Sequence, residues 1–523
     1  MKAVSPPRTG LCPASSAACQ RDSGLSNHLP AGLRHGSPRH GHMRPSSSSL
    51  NRHRMQAGNR GPGRTDSEIG SLLESGEMGV SPKAGGQPSA GAATGIRPEL
   101  VAVSIVYLVQ GLLGLSRLAV FVHFKDDLGL DPAAVAFYTS LSYLPWMIKP
   151  LYGFLSDTVP LFGYRRRSYL VLCGLLNCVC WLALAWTSPG VWATVTLLVL
   201  GSFSTACADV VADSIVVQLC RGEAQSKAGS LQSLCWGSAA AGSVASAYFS
   251  GSLVHDHGPR TVFAVTALFP LLVSAAAAAI PEPRVLPEGK QTLAQAQESA
   301  AVQARALWAA VRHPAIYLPT LFVFSWQATP TVETVMTFFQ TKQLGFSTEY
   351  LGQIRLVGAL ASLAGVGVYN YGLKATPLRT IFLWTALLGT GLGFTQLILI
   401  TGTNLRFGIS NEVFALADTT LLTVLGQVSF MPVLVLASRL CPEGVEATLF
   451  ATLMSVLNAG GFTGQALGSA LTTVFGVTSD DFGHLPQLVT FVTLCTLAPL
   501  PLLRLIPPAS TLAAAEEHGR KDG

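Results

Sequence analysis

The sequence predicts an all-α membrane protein whose twelve transmembrane helices form two six-helix pseudo-repeats. Three observations predict it. Of the 523 residues, 49% are hydrophobic and only 12% charged, with a mean hydropathy of +0.43. Soluble domains carry about 25% charged residues, so half that value names lipid as the solvent. From Glu99 onward, apolar runs of 20 or more residues recur. Each is long enough to cross a hydrocarbon core of about 30 Å. Finally, the two halves of that region echo each other.

The first 97 residues are a different material. Residues 1–65 hold one acid, Asp22, against ten bases, with Ser, Gly and Pro filling most of the rest. No apolar core of signal-peptide length lies near the start. Arg-rich, Ser-rich and acid-poor is the composition of an organelle transit peptide, although a disordered cytosolic tail has the same composition. The spans then read 100–123, 132–155, 168–187, 191–219, 228–254 and 261–280 in a first bundle (98–280). A second bundle (314–506) reads 314–339, 350–373, 378–401, 408–437, 447–475 and 485–506. In the central loop (281–313), Leu293, Ala296, Ala300, Ala304, Leu307 and Val311 recur at helical spacing, as on one face of an interfacial helix. A polar tail follows at 507–523.

Local matches support the repeat. Phe124 and Leu128-Gly129-Leu130 precede the second span, which ends near Tyr152-Gly153; Phe339 and Leu344-Gly345-Phe346 precede the eighth, which ends near Tyr371-Gly372. Leu219-Cys220 after the fourth span matches Leu440-Cys441 after the tenth. Parallel six-helix repeats of this kind are one way transporters are built. Loops after even-numbered spans carry twelve Lys and Arg residues, and loops after odd-numbered spans carry four. The positive-inside rule puts both termini on the cytosolic side or its topological equivalent.

Composition also excludes. The net charge of +6 is modest and gathered in the N-terminal segment and loops, so nucleic acid is not an expected partner. Cys178-Val-Cys180 lacks the spacing and nearby His of a zinc site, and like them Cys173, Cys207, Cys235 and Cys495 fall in apolar spans as small hydrophobes. No nucleophile–base pair, metal spacing or phosphate loop appears, so neither an enzyme nor a cofactor is expected.

What remains is charge where lipid should be. A charge at bilayer depth costs about 2.5–3.5 kcal/mol on insertion scales, so each needs a partner or a purpose. The first span carries Gln110 and Arg117, the second Lys149 beside Pro145 and Pro150, and the fourth Asp209 and Asp213. Glu333, Arg355 and Asp418 fall in the seventh, eighth and tenth. Asp209 and Asp213 are four apart and share a helix face about 6 Å from each other. Two such carboxylates can hold a proton between them; alternatively, Asp213 neutralises the arginines at the same surface. Lys149 can face inward or snorkel, and Glu333 can pair with Arg355.

The loop after the second span reads Gly153-Phe-Leu-Ser-Asp157, then Phe162-Gly-Tyr-Arg165-Arg166-Arg167-Ser168. Asp157 lies within reach of unsatisfied N–H groups at the start of the eleventh helix, near Ala447 or Thr448, and the arginines within reach of Asp213. Gly153, Asp157, Arg165, Arg166, Arg167 and Asp213 together form a candidate latch between the halves. Twelve spans with this loop resemble the major facilitator superfamily. The superfamily spaces its Asp and next Gly by three, whereas Asp157 and Gly163 are six apart, so this loop is longer.

A narrower resemblance rests on Lys149-Pro-Leu-Tyr-Gly-Phe-Leu-Ser-Asp157, Phe162 to Ser168, Asp209-Val-Val-Ala-Asp213-Ser214, Gly229 to Gly237 and Tyr248-Phe-Ser-Gly251. These blocks are similar to the folate-biopterin transporter family, and to its plastid-type branch. The resemblance implies a monomeric carrier in the chloroplast envelope, moving folates or other pterins by alternating access with protons as coupling ion. Folates are anionic with a flat hydrogen-bonding ring, so Arg117, Lys149 and Arg355 would meet the acid. Gln110, Gln232, Trp236, Trp326 and Gln327 would meet the ring, with Asp209 and Glu333 along the same path. The rivals are a carrier of another organic anion, a receptor that binds a pterin without moving it, and location in the plasma membrane. A fluorescent fusion of residues 1–97 is expected to enter plastids; fluorescence confined to the cytosol would contradict the transit reading.

Overall fold

The computed structural model describes residues 98–506, apart from Ser188 and segments 221–224, 285–304, 306–311 and 440–445. The expectations for residues 1–97, for an interfacial helix in the central loop and for the tail beyond 506 lie outside the described residues. Those residues are helical with loops, and their one bridge of strand type joins Leu161 to Tyr164.

The first half contains α1 (Pro98–Leu112), α2 (Leu115–Val122), α3 (Pro132–Ser140), α4 (Leu144–Met147), α5 (Lys149–Thr158), α6 (Arg167–Trp186), α7 (Val191–Cys220) and α8 (Gln225–Ala278). The second contains α9 (Pro314–Gln327), α10 (Glu333–Lys342), α11 (Thr348–Val368), α12 (Leu378–Gly393), α13 (Thr395–Ile400), α14 (Thr403–Arg406), α15 (Asn411–Arg439), α16 (Glu446–Val474) and α17 (Leu485–Cys495). Eight helical stretches among the described residues are long and apolar enough to cross a bilayer.

The difference from twelve has physical causes. The runs expected at 228–254 and 261–280 form one stretch, Leu234–Ala278, in which only Gly258 leaves helical geometry, at φ 75°. That left-handed backbone is open to glycine at little cost, and Pro259 starts the next turn. The expected second span is broken into α3, α4 and α5 around Pro145 and Pro150. The expected seventh breaks between Gln327 and Glu333, around Pro330. α16 carries so many Gly, Ser, Thr and Asn residues that its length exceeds its hydropathy. The first and ninth spans are also split, at Leu113-Gly114 and at Phe394.

Glycines decide where these pieces touch. A β-carbon on Gly111 would stand 2.2 Å from the Ala239 carbonyl oxygen, and one on Gly242 the same distance from that of Leu108, so α1 and α8 cross backbone to backbone. Between the halves, α8 meets α11 at Gly251 and Gly352, where an added β-carbon on Gly352 would lie 2.5 Å from the Gly251 Cα. The break in the seventh span rests on α16: β-carbons on Gly464 and Gly468 would lie 2.6 Å from Thr329 O and 2.1 Å from Thr331 O. Small residues at helical spacing let membrane helices approach this closely.

The halves also share a core. Leu115, Leu118, Val254 and Phe263 cluster with Met336, Phe339, Leu351 and Ile354. Phe121 and Phe338 meet edge to face at 5.3 Å. Ser469 Oγ donates to Ala133 O at 2.7 Å, and Ser479 N–H to Asp131 Oδ1 at 3.1 Å. These contacts gather at the end of the molecule that carries the odd-numbered loops. At the other end α5 packs against α16.

Gly468→Ala is expected to destabilise the detergent-solubilised protein by about 1–3 kcal/mol through overpacking against the Thr331 carbonyl. Gly367→Ala, where a β-carbon meets nothing within 4 Å, should leave the melting temperature unchanged. Equal melting temperatures for the two variants would contradict this packing.

Candidate functional site

The break before α5 puts Lys149 at the first position of a helix, and its ammonium turns inward. Nζ lies 2.5 Å from Asp209 Oδ2 and 4.7 Å from the centre of the Trp146 ring. The side chains are 11% and 9% exposed. Snorkelling, the other possibility for this lysine, is not what it does. Gln110 Nε2 donates to Asp209 Oδ1 at 2.8 Å, so both carboxylate oxygens are held. Trp146 is fixed in turn, because its Nε1 donates to Ser202 Oγ at 2.9 Å and Ser202 donates to Ser142 O at 2.6 Å.

Asp213 lies one turn further along α7, exposed, and accepts from Tyr107 Oη. α1 and α7 run antiparallel, so Tyr107 and Gln110, three apart, meet Asp213 and Asp209, four apart. The shared face read from the sequence is real, and each acid has its own donor across it. Tyr107 had no visible signal, since tyrosine in an apolar run is ordinary; its i, i+3 relation to Gln110 was the only hint.

A second group of charges straddles the halves. Arg117 in α2, Glu333 at the start of α10 and Arg355 in α11 interact electrostatically, as do Arg117 and Glu333 with Tyr143. The Glu333–Arg355 ion pair does not form among the described residues, where pairs such as Lys149–Asp209 and His123–Asp127 do. Trp236 is 58% exposed on α8. Trp326 packs edge to face on Phe382 at 6.1 Å, and Gln327 sits against Gly460. The Gln232 side chain lies outside the described residues. Asp418, also deep in the second half, accepts from Thr395.

The loop residues are arranged differently from the expectation. The backbone N–H groups of Arg165, Arg166 and Arg167 donate to the Glu282 carboxylate at 2.8, 3.1 and 2.8 Å. This carboxylate, two residues past the end of the first half, caps the N-terminus of α6, where unpaired donors and the helix dipole favour an anion. Arg166 donates to Ser214, and Arg167 lies over the Tyr164 ring at 5.2 Å. Arg284 covers the same ring at 5.7 Å and donates to Tyr164 Oη at 3.0 Å. Gly153 packs on α7, with Val210 at 3.4 Å from where a β-carbon would be. The Asp157 side chain lies outside the described residues. Glu282 went unread because its partners are main-chain groups, which carry no sequence signal.

The described residues fold as helices, eight of them long and apolar enough to cross a membrane, and this is the major facilitator fold. The crystal structure of a D-xylose–proton symporter superposes on it with a TM-score of 0.57 at 16% identity, covering 78% of this chain and 98% of that one. At that identity the likeness is one of fold. Sequence is more specific. A Synechocystis sp. protein named "Folate-biopterin transporter" is 50% identical over 410 residues, 78% of this chain and 82% of its own. "Probable folate-biopterin transporter 2" of Arabidopsis thaliana is 33% identical over 411 residues, 77% and 82% of the two chains. The family model described as the BT1 family matches residues 110–522, and the chain belongs to that family. Its relatives are named as transporters, and the chain is not an enzyme.

Removing Lys149 strands a buried carboxylate, so Lys149→Met is expected to cost about 3–5 kcal/mol of stability. Combining it with Asp209→Asn should recover most of that loss in a thermal melt. A double variant as unstable as the single one would show that the pair is not coupled.

Proposed function

We propose that this chain carries folates or other pterins across a membrane by alternating access between two six-helix halves, coupled to protons. The observation that carries the reading is the pair of guanidinium groups, Arg117 from one half and Arg355 from the other, that interact across the seam. Neither is closed off by an ion pair among the described residues. Like charges from opposite halves repel unless an anion lies between them. An anionic cargo placed there gains two cations and draws the halves together, and Glu333 tunes the balance. The names of the relatives support the cargo class.

Lys149 and Asp209 supply the coupling. While ionised, Asp209 holds Lys149; a proton on Asp209 removes the attraction and releases the ammonium toward a cargo carboxylate. Loss of the proton reverses the exchange. Twelve crossings are the arrangement we favour, because the second and seventh spans break inside their expected limits and the turn at Gly258 falls between the fifth and sixth. The latch at the even-loop end joins Asp157 to the start of α16, with α5 already against α16. The plastid envelope is the proposed location, on the composition of residues 1–65 and the plant relatives.

Proteoliposomes loaded with a pH gradient test this directly with labelled folate. Wild-type protein is expected to accumulate folate when the gradient is present. Arg355→Ala should raise the half-saturating concentration about tenfold, the loss of one charged hydrogen bond. Asp209→Asn should bind folate but lose its response to the gradient, and Asp157→Asn should slow uptake with membrane insertion intact. Binding without accumulation would favour a receptor, and competition by unrelated organic anions but not by folate would overturn the cargo.

A further inference from the structure

Tyr107 and Asp213 lie beside the Lys149–Asp209 pair without a hydrogen bond to it. Tyr107 Oη donates to Asp213 Oδ1, and Asp213 Oδ2 meets no donor among the described residues. The two aspartates of α7 differ in how solvent meets them. Asp209 is 9% exposed, with Lys149 on one oxygen and Gln110 on the other. A proton arriving from water must displace a donor there. Asp213 is one turn nearer the even-loop end and is exposed. Protein nevertheless surrounds it at longer range, so it lies in a recess of the first half and not on the lipid-facing side.

Among the described residues, Asp213 faces charged and titratable groups on several helices. Tyr107 comes from α1; Asp209, on its own helix, and Lys149, at the start of α5, act on it electrostatically. Cys235 of α8 stands near Tyr107, and Arg166 donates to the next residue, Ser214. Two carboxylates against one ammonium leave this group a net negative charge, which one proton cancels. An ionisable residue kept at membrane depth needs such a purpose. We infer that Asp213 is where the first half takes up its proton from solvent, with Tyr107 as the positioning residue that holds the carboxylate. The proton passes from water to Oδ2, the oxygen without a donor. Transfer to Asp209, which frees Lys149, then spans one helical turn instead of crossing apolar protein. Tyr107 makes the step reversible. A hydroxyl that donates to a carboxylate favours its ionised form, so the proton leaves again when the solvent turns alkaline. The inference rests on the coupling proposed for Asp209, although proton uptake at Asp213 can be observed without it.

Two assays on the full chain in proteoliposomes separate the proton path from the rest. One is net uptake of labelled folate driven by a pH gradient; the other is exchange of labelled for unlabelled folate at equal pH. Exchange can run with the proton staying on the carrier, and net uptake cannot. Asp213→Asn is expected to slow net uptake by about tenfold or more while exchange stays within about twofold of wild type. Asp213→Glu keeps a carboxyl and should restore most of the net uptake. Tyr107→Phe removes the donor and should move the pH of half-maximal net uptake toward the alkaline side with the maximum retained. Normal net uptake by Asp213→Asn would overturn the inference, because the proton then reaches Asp209 another way. Equal loss in both assays would overturn it too, leaving Asp213 a structural or latching role. Infrared difference spectra between acid and alkaline solution should show a carboxyl band in wild type that Asp213→Asn lacks, and a band unchanged by the substitution would rule out proton uptake at Asp213. Wild-type protein that shows the band yet moves no folate would defeat the proposed function and leave the uptake site standing.

Discussion

The carbonyls of Thr329 and Thr331 lie against bare α-carbons of α16, and the architecture depends on that contact. A helix cannot simply stop inside a bilayer, because lipid offers its freed N–H and C=O groups nothing. The seventh span stops nonetheless, between Gln327 and Glu333. It can do so because Gly460, Gly464 and Gly468 present a groove with no side chains, into which the interrupted backbone sinks. A methyl group at any of the three would lift the segment away and with it Glu333, the first residue of the helix that resumes. The position of an acid in the charged group between the halves thus traces back to three hydrogens on another helix.

The two groups of charges solve the burial problem in opposite ways. Lys149 and Asp209 cancel each other inside one half, with Gln110 and Trp146 filling the remaining directions, so the pair is close to neutral and rigid. Arg117 and Arg355 do not cancel. They come from different halves and carry the same sign, so their cost is set by the distance between the halves. One group holds a fixed interaction inside a single half. The other leaves like charges facing each other across the seam.

How much of this could be read from the chain follows from the solvent. Lipid makes every ionisable residue conspicuous, so Lys149, Asp209, Asp213, Arg117 and Arg355 stood out in apolar runs before any contact was known. Helical spacing put the two aspartates on one face. It could not say what lies opposite, and Tyr107 and Trp146 were invisible because aromatic residues are common in membrane helices. Contacts made by main chain were equally silent: Glu282 binds three N–H groups that every sequence possesses. Pro145 and Pro150 stood out in the second span, whereas the break around Pro330 went unread. Hydropathy averages over such breaks, and the second and seventh spans therefore read as continuous. Gly460, Gly464 and Gly468 recur every four residues along the chain, but nothing in the chain names the partner that needs the room.

The crossing of α8 and α11 has a mechanical meaning. At Gly251 and Gly352 the two halves meet main chain to main chain, with no side chain between them to interlock. Such a contact resists sliding apart less than it permits turning. It sits seven residues, about 10 Å, before the Gly258 turn, near one face of a membrane core of about 30 Å. The arms on either side are therefore unequal, and a rotation of about 10° would shift the far ends of the helices by about 4 Å and the near ends by half as much. For any turning of one half on the other, the smallest residue in the chain is placed as the fulcrum of an off-centre lever.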